Sequence, residues 1–438
     1  MKKGPLGLVS VIAIGIGGMV GGGIFAVLGF AVQLSGGGTY IAFALAGIIA
    51  LITSYSYAKL SVTYPSQGGT VEFLNQAFGP GLITGGLNVL LFLSYIVMLS
   101  LYSYAFGSYF SSFFPLDAQA FWKHIGTTGI IILMTVLNIL GAKAVGKAEE
   151  WIVGFKISIL MLFIVTGIWS VNTGHLQPST WTPILSLVAG GMIIFVAYEG
   201  FELIANAAED VKNPSKTLPR AYYVSVIFVI ILYVLISIVT VGNLQVNQIV
   251  AAKDYALAAA AKPFLGVFGF TLVAIAALLS TGSAINATLY GTARVSYIIA
   301  KDGELPAKLE KNIWNRPISG LLITSVLTLI IANIFDISSI ATMGSAGFLI
   351  IFAAVNASNL KVHTKTASNR YIPTLGVITC SFALFALLWQ TALSSPFDIL
   401  ILLILVGAAF TIEIIYIKFT GRKILTMIKS EVKSKKEI

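Results

Sequence analysis

The stretch IGIGGMVGGGIF, residues 14–25, decides how this sequence can fold. It lies inside an apolar segment long enough to span a bilayer, yet Gly21, Gly22 and Gly23 follow one another at its centre. Each glycine costs a helix about 1 kcal/mol relative to alanine, so a straight helix gains nothing from three of them. One interpretation is a helix broken at mid-depth, which lines a site because its freed backbone groups need cover. The other is close helix packing through small residues spaced four apart.

The composition excludes a water-soluble globule. The chain of 438 residues is 57% hydrophobic and 10% charged, whereas soluble domains carry about 25% charged residues. We expect one transmembrane domain over residues 1–438, with no large soluble part. The single cysteine excludes a disulfide framework and Cys-rich metal sites, and three dispersed histidines form no metal constellation. We therefore expect no metal and no cofactor. The sequence also offers no nucleophile paired with a base, so we do not expect an enzyme.

Twelve apolar segments follow one another along the chain, each long enough to cross a membrane. The sequence thus predicts an all-α integral membrane protein with twelve transmembrane helices. The first segment is too long for a signal-peptide core and no small-residue cleavage site follows it, so we expect it to be retained. The segments are 8–33, 39–60, 82–112, 125–142, 151–172, 186–207, 221–242, 265–297, 317–335, 339–359, 371–390 and 397–417.

The positive charges fall mainly on one side of the predicted membrane. Most of the 27 lysines and arginines lie in the two termini and in the loops that follow odd-numbered spans. Positively charged loops face the cytoplasm, so we expect a multi-pass protein of the cytoplasmic (plasma) membrane with both termini inside. Because the net charge of +10 is spread over many loops, it does not indicate nucleic acid binding. The basic tail, 418–438, is expected to contact anionic membrane lipid.

The sixth segment contains FVAYEGFE, residues 195–202, in which Glu199 and Glu202 flank a glycine. Carboxylates inside a membrane are costly and face a cavity or a partner. A span ending near residue 198 would instead leave both at the interface, but the apolar run continues through 203–205. Spans one and six are the first spans of two five-span halves. Interrupted helices at corresponding positions of inverted halves indicate a transporter with a site at the midplane.

Four motifs then make the chain resemble a known family. They are GGGIF at 21–25, YEGFE at 198–202, EDVKNPSKTLPRA at 209–221 and AKDGELP at 300–306. On these residues the chain resembles permeases of the amino acid-polyamine-organocation (APC) superfamily, and among them prokaryotic proton-coupled amino acid transporters. The resemblance implies the five-plus-five inverted repeat of bacterial leucine transporters, with broken helices one and six. The repeats would be 8–172 and 186–359, with 371–417 appended before the tail.

Physical chemistry and the resemblance agree on how an amino acid would bind. Amides at the start of the half-helix after Val20 would face its carboxylate, at the positive end of the helix dipole. Carbonyls freed in spans one and six would accept its ammonium. Glu199 either favours cationic substrates or pairs with another residue that the sequence does not identify. A general carrier of neutral amino acids is therefore an equally open alternative. The expected substrate-binding residues are Met19, Gly21, Gly22, Gly23, Ile24, Val196 and Glu199.

Lys156, inside the fifth span, bears on energy coupling. A buried ammonium without a partner tends to lose its proton, so such a lysine can titrate during transport. Alternatively its long side chain reaches the nearby interface, marked by Trp151. The resemblance favours coupling, because proton-coupled relatives place a lysine here, in the position of sodium in sodium-coupled members. It also makes Glu202 a second proton-linked candidate.

Polar residues of the eighth span could face the same cavity, although membrane hydroxyls often bond their own backbone. They are Ser280, Thr281, Ser283 and Asn286. The predicted function is secondary transport that imports amino acids, as small-molecule substrates, with protons and without sodium. Alternatives are an amino acid exchanger, a cationic amino acid or polyamine permease, and a non-transporting amino acid sensor. A channel is disfavoured, because broken helices at inverted positions suit alternating access rather than a continuous pore.

Overall fold

The computed structural model describes residues 5–140, 145–301 and 318–420. For residues 145–150, 301, 419 and 420 it describes the backbone alone. Within these ranges the regular structure is helical, and the extended residues form just two isolated bridges, Leu6 with Val211 and Gly36 with Trp181. The tail beyond 420, and residues 302–306 of the fourth family motif, lie outside the described part.

Sixteen α-helices follow one another in the described residues. The first eight are α1 Leu8–Met19, α2 Gly23–Ser35, α3 Thr39–Thr63, α4 Thr70–Phe78, α5 Leu82–Ser111, α6 Gln119–Leu140, α7 Val145–Gly167 and α8 Ile184–Ile193. The second eight are α9 Leu203–Asn206, α10 Pro214–Asn243, α11 Val246–Ala251, α12 Ala256–Lys301, α13 Ile318–Ile334, α14 Ile337–Lys361, α15 Tyr371–Ser394 and α16 Pro396–Thr420. Within α12 the backbone leaves the helical conformation at Gly266, where φ is +62°.

Among the described residues, ten helices are long and apolar enough to cross a membrane, and α1 with α2 forms an eleventh span bent by 42°. The segment predicted as the ninth span corresponds to α13, an apolar helix of 17 residues. At 1.5 Å per residue such a helix reaches about 25 Å, slightly less than a bilayer's apolar thickness. The multi-pass helical architecture is therefore confirmed, while the count of twelve spans stays a prediction.

The predicted break in the first span is present. Helix α1 ends at Met19, and α2 begins at Gly23 after a short turn. The packing interpretation holds at the same place, because a Cβ atom on Gly23 would lie 2.6 Å from the Cα of Ala197. One on Gly18 would lie 2.6 Å from the carbonyl oxygen of Gly200. The glycines therefore serve two purposes, since they end a helix and let the first span approach the sixth.

In the sixth span the α-helical winding ends at Ile193, without the sharp bend seen in the first span. Ile184–Asn206 passes as one apolar span, and its middle, Ile194–Glu202, is wound as a 3₁₀ helix. Nine residues is long for this helix type, which marks strain or a hinge. A distant side chain takes part in this change of winding, since the amide of Val196 donates to Ser345 Oγ on α14 over 3.1 Å and Ser345 contacts the carbonyl of Ile193. A second broken helix, as the five-plus-five repeat would have it, stays a prediction.

Burial separates a central group of spans from a peripheral one. The apolar window of α5 is 83% buried, the highest share among the ten unbent spans, whereas the windows of α15 and α16 are 33% and 22% buried. A helix that is apolar all round and buried belongs to the core, and one left exposed faces lipid. The bent first span, the sixth span and α5 consequently meet in the interior of the molecule, where the candidate site lies.

Candidate functional site

The carbonyl groups released by the break in the first span are covered by side chains from distant helices. Tyr233 of α10 donates its hydroxyl to the carbonyl oxygen of Met19 over 2.6 Å. Ser280 of α12 donates to the carbonyl of Val20 over 2.7 Å and also contacts that of Gly21. Because an unpaired carbonyl in a low-dielectric interior is costly, these two hydroxyls stabilise the break.

Lys156 lies against the last turn of α1 before the break. Its Nζ atom donates to the carbonyl oxygen of Gly17 over 3.1 Å, and the residue is 1% exposed. The side chain therefore does not extend to the interface in this conformation. The role of Lys156 in coupling stays a prediction.

Glu202 is fully buried and held by hydroxyl groups from two helices. The phenol of Tyr95, on α5, donates to Oε1, and Thr70, the first residue of α4, donates to Oε2 over 3.4 Å. Thr70 is also within hydrogen-bonding distance of the Tyr57 hydroxyl, at 2.9 Å. Because donors flank both oxygens, the carboxyl group is fixed in position inside the membrane.

Glu199 is 3% exposed and accepts a hydrogen bond from Tyr102 over 3.4 Å. The ring of Tyr102 also fills the space where a side chain on Gly22 would lie. Tyr102 therefore joins the carboxylate of the sixth span to the break in the first. The apolar span does not end near residue 198 but continues to Asn206, and both carboxyl groups are buried within the protein.

The 3₁₀ winding explains how the two carboxylates share one face. A 3₁₀ helix has three residues per turn, so residues three apart are eclipsed and lie about 6 Å apart along the axis. Val196, Glu199 and Glu202 are spaced in this way. Their partners Tyr95 and Tyr102 are seven residues apart on α5, which is two turns of an α-helix.

The start of α2 supplies amide groups. The first amides of a helix have no carbonyl partner within it, and α2 begins at Gly23. Gly21, Gly22, Gly23 and Ile24 are all buried, so these amides face a protein interior rather than lipid or bulk water. Of the predicted substrate-binding residues, Met19 through Ile24 surround the break, and Val196 and Glu199 lie on the opposing 3₁₀ segment.

A cavity of about 360 Å³ extends from this region towards the side on which the chain begins. Gly17 and Gly18 contribute to its inner wall, together with Val153 of α7. Asp210 and Arg294 also line it. Among the described residues, no three His, Cys, Asp or Glu side chains come together in a way that could hold a metal ion.

A profile of the amino acid permease family matches residues 6–411. The chain belongs to this family. A protein of Methanocaldococcus jannaschii, described as uncharacterized, is 36% identical over 96% of this chain and 97% of its own. The inner membrane transport protein YbaT of Escherichia coli K12 is 37% identical over 80% of this chain and 82% of its own. The branched-chain amino acid permease BcaP of Bacillus subtilis is 25% identical, over 89% of each chain.

Membership of the amino acid permease family confirms the resemblance drawn from the motifs. The family and its named relatives are permeases and transporters, so this permease is a transporter and not an enzyme. Among these three relatives BcaP alone is named for a substrate, so the choice of amino acid in this chain depends on the site itself.

The sequence reasoning missed several residues that build the site of this permease. Tyr233, Tyr95, Tyr102 and Thr70 were not singled out, although a tyrosine inside an apolar span signals a hydroxyl in need of a partner. The sequence left open whether hydroxyl groups of the eighth span contact the site or bond their own backbone, and the structure shows one residue of each kind. Ser280 covers the break, whereas Thr281 bonds its own backbone at Ala277 over 2.7 Å. Asn286 instead accepts from Asn138 of α6 over 2.8 Å.

Proposed function

We propose that this permease imports amino acids across the cytoplasmic membrane together with protons, without sodium, by alternating access. Its fold would be a twelve-helix, five-plus-five inverted repeat with both termini in the cytoplasm. Family membership supports amino acids as the substrate class. The observation that carries the coupling is the hydrogen bond from the buried Lys156 ammonium to the Gly17 carbonyl at the edge of the break.

The substrate is a zwitterion bound across the break. Its carboxylate accepts from the free amides at the start of α2, around Gly22 to Ile24, where the helix dipole also favours negative charge. Its ammonium approaches the carbonyls of Met19, Val196 and Glu199. The oxygen of Met19 already accepts from Tyr233, but a carbonyl has two lone pairs and accepts a second donor.

Proton coupling acts through the bond between α7 and α1. A protonated Lys156 donates to Gly17, and loss of the proton weakens that bond because a charge-assisted hydrogen bond is stronger than a neutral one. A ligand or proton shifts an equilibrium between two states only by as much as its affinity differs between those states. Protonation of Lys156 therefore biases whether α1 rests against α7. Glu202 is the second proton-linked group, since its buried carboxyl lies between the sixth span and α5.

The cavity connects the surroundings of Gly17 and Lys156 to one side of the membrane. It reaches Gly17, whose carbonyl holds Lys156, and Gly18, one residue before α1 ends. It opens beside the beginning of the chain, which the positive-inside rule assigns to the cytoplasm. This conformation therefore corresponds to the state in which a proton and a substrate leave towards the cytoplasm.

Uptake into proteoliposomes tests the proposal. The reconstituted permease is supplied with a labelled amino acid mixture in sodium-free buffer, with and without an inward proton gradient. We expect accumulation above equilibrium only with the gradient. Counterflow that ignores the gradient would instead establish an exchanger or facilitator, and saturable binding without any flux would establish a sensor.

A cationic substrate is the second candidate, favoured by the buried carboxylate of Glu199. Through Tyr102 this carboxylate lies next to the break, where a substrate side chain would extend. Competition of unlabelled L-arginine and L-leucine against the labelled mixture separates the two cases, because a cationic permease is inhibited by the first far more than by the second.

A further inference from the structure

The cavity below the break carries two opposite charges on different walls. Asp210 follows the sixth span and Arg294 lies near the end of α12, and both line the cavity. Among the described residues the single ion pair joins Lys123 to Asp254, so Asp210 and Arg294 are not bridged to each other. Two separated opposite charges facing one space are complementary to a molecule that carries both signs.

The position of Asp210 is fixed by its backbone. Its carbonyl accepts from the amide of Leu6 over 3.0 Å, and the amide of Lys212 donates to the carbonyl of Leu6 over 2.8 Å. Its own amide donates to the carbonyl of Ala207 over 3.0 Å. These bonds hold the loop after the sixth span against the chain just before α1. The backbone that carries this acidic side chain is therefore anchored beside the cavity.

Arg294 is positioned from the other side. Its guanidinium donates to the side-chain oxygen of Gln67, in the connection between α3 and α4, and lies 5.5 Å from the ring centroid of Tyr290. One amide oxygen uses only part of the donor capacity of a guanidinium, which has five N–H groups. The remaining donors suit a carboxylate, which arginine binds through two parallel hydrogen bonds.

The rest of the cavity suits an amino acid side chain. Ile14, Leu203 and Ala284 form part of an apolar wall, and the volume of about 360 Å³ lies at the lower end of that of small-molecule pockets. The inner end reaches Gly18, next to the break. A ligand leaving the break towards this side would pass between Asp210 and Arg294.

We propose that this cavity is a second amino acid site, in which Arg294 binds the carboxylate and Asp210 the ammonium of a zwitterion. It holds the substrate between the break and the solution on the side where the chain begins. The inference rests on the proposed function for its substrate class, and it goes further by assigning a separate site to residues outside the two central spans.

Protection of an engineered cysteine tests this site. Ala287 lines the cavity, and the native Cys380 is fully buried, so Ala287→Cys provides a reactive thiol at the site. Its alkylation by a charged thiol reagent is timed on the full-length protein, with L-leucine, L-serine or L-arginine as probes. We expect at least one probe to slow the reaction, by about tenfold at ten times its Kd. N-acetyl-L-leucine and L-leucinamide, which each lack one pole, should protect with a Kd at least tenfold higher than that of L-leucine.

Charge variants separate a built site from a change of conformation. In the Ala287→Cys background, Asp210→Asn and Arg294→Gln should each raise the Kd with which the probe protects about tenfold to a hundredfold, the loss expected for one charged hydrogen bond. Glu209→Gln and Arg370→Gln, on the same side but outside the cavity lining, serve as matched controls and should leave protection unchanged. Circular dichroism and size-exclusion profiles establish that each variant is folded.

The outcomes distinguish this inference from the transport proposal, because uptake is measured on the same preparations. Protection that persists in both charge variants would overturn the site, since it would then arise from closure of the cavity. Uptake without protection by any probe would also overturn it and leave transport intact. Protection that requires both poles, in a protein that shows no uptake, would support the site and refute transport.

Discussion

The ammonium of Lys156 donates a hydrogen bond to the carbonyl oxygen of Gly17 over 3.1 Å, and this bond joins α7 to the last turn of α1. Gly17 is three residues from Val20, where the first span leaves the helix. A buried ammonium group thus lies directly against the last turn of the first half-helix, next to the break.

Lys156→Met should uncouple transport from the proton gradient. Methionine fills a similar volume without a charge, so gradient-driven accumulation falls to the level set by exchange, while counterflow persists. Losing the partner of the Gly17 carbonyl costs about 1–3 kcal/mol of stability, which thermal unfolding in detergent measures. Lys262→Met, an exposed lysine over the ring of Phe270, is the matched control. A Lys156→Met variant with the full wild-type response to the gradient would refute the assignment.

Ser280→Ala should damage the break, whereas Thr281→Ala should not. The Ser280 hydroxyl covers the carbonyls of Val20 and Gly21, while that of Thr281 bonds its own helix at Ala277. Removing the first leaves two buried carbonyls without that donor, at a cost of about 1–3 kcal/mol, and removing the second costs less. The unfolding temperature and the uptake rate of the two variants are compared side by side. Equal effects of both substitutions would show that Ser280 is not needed at the break.

Gly23→Ala should abolish most uptake. The added Cβ would lie 2.6 Å from the Cα of Ala197, and a backbone atom cannot rotate away as a side chain can. Overpacking of this kind costs about 1–3 kcal/mol and would separate the first span from the sixth. Gly154→Ala, on α7, meets no atom within 4 Å and should be neutral or slightly stabilising. The measurement is the initial rate of labelled amino acid uptake, normalised to reconstituted protein, for both variants. A wild-type rate for Gly23→Ala would show that the added Cβ atom is tolerated.

The first span was predictable because its signal is local. Three consecutive glycines disfavour a helix wherever the chain lies, and the break occurs at Val20 to Gly22 as the sequence indicated. Close packing was visible in the same glycines. What the pattern left open was whether one or both interpretations apply, and that depends on the backbone of Ala197 in another span.

The sixth span was not predictable to the same depth, because its conformation depends on a distant residue. Ser345, which is 149 residues further along the chain, accepts from the amide of Val196. Nothing in the segment itself distinguishes 3₁₀ winding from an unwound break. The same holds for Tyr233, which reaches Met19 across 214 residues of sequence. Local composition shows that freed carbonyls need partners, whereas only the fold shows which side chains supply them.

Glu202→Gln should flatten the dependence of uptake on pH. Glutamine keeps the shape and still accepts from Tyr95, but it cannot exchange a proton. Uptake is measured from about pH 5 to 8 with equal pH on both sides, so that protonation is tested apart from the gradient. Glu413→Gln removes another buried carboxylate, on α16, and should leave the profile unchanged. A Glu202→Gln profile that follows the wild type would remove Glu202 from the proton-linked groups.

Glu199→Gln should lower the affinity for cationic amino acids and not for neutral ones. The carboxylate is 3% exposed and is held by Tyr102, whose ring packs on Gly22 at the break. A charged hydrogen bond to a substrate cation contributes about 1.5–3 kcal/mol, which corresponds to at least a tenfold change in affinity for L-arginine. For L-leucine no such bond exists, and we expect less than about a twofold change.

Tyr102→Phe separates selectivity from structure at this position. It removes the hydroxyl that bonds Glu199 and keeps the carboxylate, so the preference between L-arginine and L-leucine should survive while the carboxylate is held less firmly. If Glu199→Gln instead weakens both substrates equally and Tyr102→Phe reproduces that loss, the carboxylate is a structural partner of the tyrosine. The break would then recognise only the two poles that all amino acids share.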